Sequence, residues 1–490
     1  MLNKRRSFGL AGVLAGLAAG TVAVSGLATA PTVKATPAAS TGLRWAPCDD
    51  PKNPGAECAT LSVPVDWARP DGPKFGLALA RRTATGPGER VGSLVFGPGG
   101  PGDSGVERVV SGIGRFSPEV RGRFDIVSFD PRGVGRSSPV TCSGELLAKR
   151  PSPVMKDQAA FDATLAYNAR LREDCRTRTG PVFDHLDTGQ TVRDLEAIRV
   201  ALGESKLTFH GSSYGTMLGG QYAETYPTKI RAMVLESVMD HSVPTTGRLL
   251  HDQGAAAQDS FDEFVKWCAG DAGCALSGRD VRAVWKGLLA RAGRGELEHP
   301  QKPGTRISSI DLVNMIAFRA FYKPDYAGFA QTLAKMERAA PLPAGPTSLS
   351  PLPPALPVFC ADWRLPVRNH AEYASLVRRM DRVAPDLPYL LPIRGVASCL
   401  GSPTANPQHR LQVRGTPPIL LANAVHDPAT GYPWAVSVAR QLGPKGVLLT
   451  YEGAGHGTAT DGPCMENTVD RYLTDLRVPP RGTRCPAVAS

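Results

Sequence analysis

Gly211-Ser212-Ser213-Tyr214-Gly215 is the stretch that most narrows what this chain can fold into. Lys206-Leu207-Thr208-Phe209-His210 precedes it and reads as a short buried strand. Thr216 to Glu224 follows and reads as a helix. A strand, a tight turn and a helix in direct succession reverse the chain within a few residues. Glycines are needed at both ends of such a turn, because side chains there would strike the neighbouring strand and helix. The central residue is Ser213, not Ser212. It is expected on strained backbone with its oxygen standing clear of the sheet, as a nucleophile elbow requires. A Ser/Gly-rich turn is the plain alternative, and the flanking strand and helix argue against it.

The rest of the chain supplies a matching sheet. Leu61 to Val65 and Gly76 to Ala80 alternate like strands. Val91 to Phe96, Phe124 to Phe129 and Ile230 to Leu235 are further strands, and Gly189 to Leu202 has helical periodicity with Val192, Leu195, Ile198 and Leu202 on one face. Strands resume at Pro418 to Asn423 and Gly446 to Tyr451, with helices expected at Pro433 to Leu442 and Met465 to Leu476. Strands alternating with helices give an α/β fold, a mostly parallel sheet with helices on both faces. Between about His241 and Pro407 the pattern changes. Ser260 to Trp267, Arg282 to Ala290 and Ser309 to Phe321 look helical, few strands are evident, and Pro341 to Pro357 is proline-rich. We read 41–240 and 408–490 as a catalytic domain and 241–407 as a mainly helical lid inserted into it.

Three residues then fall into a chemical order. A serine hydroxyl needs a base to take its proton, and the base needs an acid to fix its tautomer. Ser213, Asp427 and His456 follow one another in the chain order of the α/β-hydrolase fold, each just beyond an expected strand. Asp461 is the rival acid but lies beyond the histidine. His210 reads as a structural neighbour of the elbow, and His426 as a loop residue beside the acid. Upstream, Gly97-Pro98-Gly99-Gly100-Pro101-Gly102-Asp103-Ser104-Gly105 follows a strand. Backbone N–H groups can approach a ligand closely in such a loop. Gly99 and Gly100, with the backbone of Tyr214, are the candidates for an oxyanion hole. A phosphate loop is disfavoured because the Gly-Lys-Ser/Thr ending is absent.

The first 35 residues read as a signal peptide, with Lys4-Arg5-Arg6 before an apolar run from Leu10 to Ala30. Pro31 disfavours a cut after Ala30 and points to Ala35, leaving a flexible stretch from 36 to about 45 that is compatible with a short pro-segment. No later apolar run is long enough to span a membrane, so none is expected once the leader is removed. The ten cysteines all follow the leader, as expected of disulfides in an exported chain. Sequence does not fix their connectivity; pairing each with its neighbour gives Cys48–Cys58, Cys142–Cys175, Cys268–Cys274, Cys360–Cys399 and Cys464–Cys485. The formal charge of +11 falls to +7 when Lys4, Arg5, Arg6 and Lys34 are cut away, a balance suited to anionic cell-wall surfaces. No basic run interleaved with aromatics favours nucleic acid. Neither a Cys-x-x-Cys nor a His-Glu-x-x-His pattern calls for a metal, and no cofactor is expected.

The motifs together resemble one family. Gly97 to Gly102, Asp130-Pro131-Arg132-Gly133, the Ser213 elbow, His426-Asp427-Pro428-Ala429-Thr430 and Gly455-His456-Gly457 are similar to those of the secreted bacterial tripeptidyl aminopeptidases, serine peptidases related to proline iminopeptidases. Trp267-Cys268 and Phe359 to Trp363 in the lid extend the likeness over nearly the whole chain. Proline iminopeptidases carry His-Gly-Gly-Pro-Gly at the oxyanion loop; Pro98 stands in place of that histidine, which favours the tripeptidyl branch. The resemblance implies release of short peptides, typically tripeptides, from the free N-terminus of a peptide or protein, with the lid closing the non-prime side. An ammonium must then be held, for which buried carboxylates are natural partners. Glu236, Asp240 and Asp362 are the candidates. A proline-iminopeptidase-like aminopeptidase, an esterase of the same fold, or a catalytically silent protein on it, are the alternatives.

Overall fold

The computed structural model describes residues 43–351 and 355–488. The expected leader, its cut sites and most of the flexible stretch lie outside the described residues.

Ten strands form one sheet: β1 (Ala46–Pro47), β2 (Glu57–Pro64), β3 (Lys74–Arg82), β4 (Gly92–Gly97), β5 (Phe124–Phe129), β6 (Leu207–Ser212), β7 (Ile230–Glu236), β10 (Ile419–His426), β11 (Gly446–Ala454) and β12 (Arg484–Cys485). A separate hairpin pairs β8 (Glu298–His299) with β9 (Lys302–Arg306). The spatial order of the large sheet is β1-β2-β3-β5-β4-β6-β7-β10-β11-β12. The first three strands run antiparallel to one another, and β3 is antiparallel to β5. From β5 to β12 every pair is parallel. Their C-terminal ends therefore lie along one edge, where open α/β sheets carry their sites.

Alternating side chains divide the core between the two faces. Val95, Val127, Phe209 and Leu421 point to one face and pack with Val192, Leu195, Ile198, Leu218, Tyr222 and Val438 of the helices Thr188–Ala201, Tyr214–Thr225 and Tyr432–Gln441. Leu94, Phe96, Ile126 and Leu420 point to the other and pack with Val120, Met465, Val469 and Tyr472 of the helices Pro118–Arg123 and Gly462–Asp475. Burial on both faces explains why these strands read as continuous apolar runs in sequence.

Between β7 and β10 the chain is helical apart from the β8–β9 hairpin. The expected helices lie within Thr246–Gly270, Val281–Gly293 and the stretch Ser309–Ala320, the last of which contains a π-helical turn over Leu312–Ala317. One long helix escaped the sequence reading. Gln158–Thr179, between β5 and β6, buries Phe161, Thr164, Tyr167, Asn168 and Cys175. Polar Thr164 and Asn168 break its apolar stripe, so its periodicity is weak. Phe161 and Cys175 belong to the same apolar cluster as Phe261, Trp285, Phe329 and Trp363. The helical layer thus draws on two separated parts of the chain.

The ten cysteines form five disulfides, each with its neighbour in sequence: Cys48–Cys58, Cys142–Cys175, Cys268–Cys274, Cys360–Cys399 and Cys464–Cys485. Both two-residue edge strands are held this way. Cys48 lies just beyond β1, and its partner Cys58 is in β2. Cys485 of β12 is tied to the helix Gly462–Asp475. Among the described residues, no helix is long and apolar enough to cross a membrane.

The Cys360–Cys399 bond closes a loop of 39 residues in sequence. Replacing both cysteines with serine should lower unfolding free energy by about 3–4 kcal/mol through loop entropy in the unfolded chain. A urea titration of the double variant against the parent checks this.

Candidate active site

The turn after β6 is strained as its sequence requires. Ser213 has φ 56° and ψ −121°, a region that L side chains rarely occupy. Its N–H donates to the Glu236 carbonyl at 2.9 Å, which fixes the turn against β7. A side chain at Gly215 would overlap the carbonyl of Gly97 on β4, so only glycine lets the helix start this close to the sheet. Gly99 is close-packed too: a Cβ there would sit 3.0 Å from the Ser213 Cβ and 3.6 Å from its Oγ. The Gly-rich loop therefore passes directly beside the serine. Tyr214 opens the helix Tyr214–Thr225, so its N–H has no partner within that helix. Gly99 and Tyr214 are thus placed beside the same turn.

The Gly-rich loop is anchored by the Asp-Pro-Arg-Gly motif. Buried Asp130 accepts hydrogen bonds from Ser104 Oγ at 2.5 Å, from Val106 N at 3.0 Å and from Arg136 N at 2.7 Å. Arg132, also buried, makes a two-pronged ion pair with Asp194 at 2.7 Å on each arm and donates to the carbonyls of Pro64, Val65 and His185. These contacts join the loop beyond β5 to the helix Thr188–Ala201.

His456 and Asp427 meet beyond the ends of β11 and β10. His456 Nδ1 lies 2.9 Å from Asp427 Oδ1 and 3.0 Å from Oδ2. Asp427 is buried and also accepts from Ala429 N, Thr430 N and Thr430 Oγ1 at 2.9, 2.9 and 3.0 Å. Donors on every side hold the carboxylate in one orientation, so it addresses the imidazole Nδ1 and leaves Nε2 on the far side of the ring. Asp461 is not the histidine's partner; it precedes the helix Gly462–Asp475. His210 bonds Glu236, and His426 bonds Asp259 of the helix Thr246–Gly270.

The helical layer touches this edge beside Ser213 and His456 as well as at the acid loop, where Gln253 Nε2 donates to the Ala429 carbonyl. The Tyr322 carbonyl accepts the His456 N–H at 2.7 Å, and the Tyr322 ring stands edge-on to the imidazole at 4.7 Å. A Cβ on Gly102 would lie 2.7 Å from that of Ala355, so the layer also meets the Gly-rich loop. Tyr214 donates its hydroxyl to Asp362 at 2.6 Å. Sequence reasoning gave Tyr214 a backbone role alone and did not find Tyr322, Ala355 or Thr430. Thr430 had a signal, since an aspartate that caps the N–H groups two and three residues on is a common turn device. A lone aromatic such as Tyr322 in a helical stretch had none.

The three carboxylates expected to receive an ammonium are all buried and already engaged. Glu236 accepts from Arg115 at 2.7 Å, His210 at 3.0 Å and Ala459 N at 2.6 Å. Asp240 accepts from Ser242 N, Ser242 Oγ and Gln441 Nε2. Asp362 accepts from Thr188 N, Thr188 Oγ1, Tyr214 and Asn406. These contacts tie each carboxylate to neighbouring elements of the fold, and Asp240 takes all three of its donors on Oδ1. Burial alone would raise the pKa of Glu236, but the Arg115 charge and the His210 and Ala459 hydrogen bonds outweigh it and hold the carboxyl well below its usual range. At Asp362 burial wins against its four donors and lifts the pKa to about 6.

With this geometry, the sequence comparisons become specific. Residues 393–485 match the family described as TAP-like protein. Over 489 aligned residues the chain is 32% identical to serine protease Hip1 of Mycobacterium tuberculosis, covering 90% of this chain and 91% of that protein. The chain belongs to the TAP-like family of serine peptidases. It is also 29% identical to a tripeptidyl aminopeptidase of Streptomyces lividans, over 92% of this chain and 88% of that one. Carboxylesterase B of Mycobacterium tuberculosis is 31% identical, over 98% of this chain and 97% of that one. The protein is therefore a serine hydrolase with the α/β-hydrolase fold.

The Asp362 hub has a testable pH signature. Its backbone carbonyl accepts from His241 Nε2 at 2.7 Å, and burial lowers the His241 pKa to about 4. An acid with a raised folded pKa loses stability as pH rises from its unfolded value through about 6. A histidine with a lowered folded pKa gains stability over nearly the same interval. The two oppose each other in the parent protein. Asp362→Asn should leave the histidine unopposed, so stability should climb more steeply between pH 4.5 and 6, by up to about 1.4 kcal/mol per pH unit. Denaturant midpoints measured at several pH values read this difference.

Proposed function

We propose that the protein is a secreted serine exopeptidase that releases tripeptides or other short peptides from free N-termini through an acyl-enzyme on Ser213. The observation that carries the reading is the helical layer's contact with all three catalytic loops at once, through Tyr322, Ala355 and Asp362. A wall built this way limits how much substrate lies beyond the scissile bond, as an exopeptidase requires. The five disulfides support an oxidising, extracellular destination. A formal charge of +11 on the full sequence is compatible with association with an anionic cell wall.

In this mechanism Ser213 Oγ attacks the scissile carbonyl carbon while His456 Nε2 takes its proton. Asp427 holds Nδ1–H and stabilises the imidazolium. The N–H groups of Tyr214 and of Gly99 or Gly100 receive the oxyanion. Collapse of the tetrahedral intermediate breaks the C–N bond, and His456 returns the proton to the departing amine. Water then attacks the acyl-enzyme with the same base, releasing the short peptide and restoring Ser213. No metal or other cofactor enters any of these steps.

A second reading is an esterase on the same triad. The carboxylesterase B relative and the prior engagement of all three candidate carboxylates favour it. One comparison separates the two. A tripeptide anilide with a free N-terminus should be cleaved well, its N-acetylated twin and a single-residue anilide poorly. Ser213→Ala should lower the rate on the order of 10⁶-fold and Asp427→Asn about 10⁴-fold. Equal cleavage of the acetylated peptide, or turnover of simple esters alone, would establish the esterase instead.

A further inference from the structure

Glu236 has no part in the mechanism above, yet it touches both the nucleophile's turn and the base's loop. Its main-chain carbonyl accepts the Ser213 N–H at 2.9 Å. Its Oε1 accepts the N–H of Ala459, three residues beyond His456, at 2.6 Å. The next residue repeats the pattern. Ser237 is left-handed, with φ 55°, and donates its N–H to Ala422 of β10 at 2.8 Å. Its hydroxyl oxygen accepts the N–H of Gly457, directly after His456, at 2.8 Å. Two consecutive residues at the end of β7 therefore hold Ser213 on one side and the chain after His456 on the other.

We propose that Glu236 is a positioning residue whose side chain sets the distance between the nucleophile turn and the His456 loop. It acts through those loops and touches neither substrate nor reacting atoms. The inference rests on the assignment of Ser213 and His456 made above.

The chemistry of the pocket requires a carboxylate. Oε2 faces two donors, Arg115 Nη2 at 2.7 Å and His210 Nε2 at 3.0 Å, and Oε1 faces a third, the Ala459 N–H. Only an ionised carboxyl offers acceptors on both oxygens. A glutamine has one oxygen, so whichever way it turns, its NH₂ confronts either the Arg115–His210 pair or Ala459. The partners are themselves fixed. The Arg115 guanidinium lies 4.2 Å from the centre of the Phe96 ring, and His210 packs edge-on against Phe96 and Phe116. Asp461 is the further acid whose charge is felt here. The ion pair therefore packs against aromatic rings behind the carboxylate, with the Ala459 loop in front of it.

The experiment compares wild type, Glu236→Gln and Ser237→Ala on the best anilide substrate. It also measures phosphonylation of Ser213 by an aryl phosphonate, followed by intact mass. The phosphonate needs the Ser213–His456 pair but no peptide-binding subsites. Misplacement by about 1 Å can cost on the order of 100-fold in rate. Glu236→Gln should therefore lower kcat roughly 10- to 100-fold with KM within about threefold, and phosphonylation should slow in parallel. Ser237→Ala removes one anchor of the same loop without disturbing the ion pair, and should show a smaller loss with the same signature. If Glu236→Gln fails to fold, Ser237→Ala carries the test alone. Wild-type kcat and phosphonylation rate in the folded variants would overturn the proposal, as would a raised KM at unchanged kcat. If the wild-type protein is not phosphonylated at Ser213, the underlying triad assignment fails, and that result is distinct from equal labelling of wild type and variants.

Discussion

The backbone of Ser213 sits where few L-residues are stable, and nearly everything around it exists to keep it there. A residue at φ 56° and ψ −121° persists only when its surroundings over-determine it. Here β7 grips it from one side through the Glu236 carbonyl. β4 and its loop close in on the other side, so tightly that Gly215 has no room for a side chain and a Cβ on Gly99 would press against that of Ser213. The strain is local, and the central parallel strands that oppose it are buried on both faces. Removing the packing on either side would let the turn relax and draw the serine back toward the sheet.

A parallel sheet makes the rest possible at little further cost. Because β4, β6, β7, β10 and β11 run the same way, residues hundreds of positions apart emerge at one edge. The chemistry there is polar and needs rigid support, which buried ionic groups provide. Asp130 locks the Gly-rich loop, Asp427 is surrounded by donors, and Glu236 is held anionic by Arg115 and His210. Buried charge is costly unless its partners are complete. Each of these three has at least one partner from a distant part of the chain, Ser104 for Asp130, His456 for Asp427 and Arg115 for Glu236, so contacts that satisfy the charge also fix the geometry.

The helical layer covers the edge where Ser213 and His456 emerge. Its contacts with the site include a tyrosine ring and carbonyl on His456, a methyl group against Gly102, and a carboxylate under Tyr214. Each places a different part of the catalytic edge against the layer. The long helix Gln158–Thr179 joins this layer from outside the segment between β7 and β10. The covering is therefore braced at two places in the chain rather than hung from one hinge pair.

Local pattern determined much of this in the sequence itself. The strands buried on both faces, the elbow and the order Ser213, Asp427, His456 were legible because each depends on residues adjacent in the chain: an apolar run, a glycine spacing, a polar residue just past a strand. The helix Gln158–Thr179 was not legible, because tertiary packing buries its Thr164 and Asn168 and hides the apolar stripe. The short β1 and β12 were missed because two residues carry no periodicity and their place depends on disulfides. The internal partners of Glu236, Asp240 and Asp362 were beyond sequence altogether. An acid near a strand end reads the same whether it awaits a ligand or already holds an arginine 121 residues away. Which it does is decided by what the fold brings within about 3 Å of its oxygens, and no local pattern encodes that.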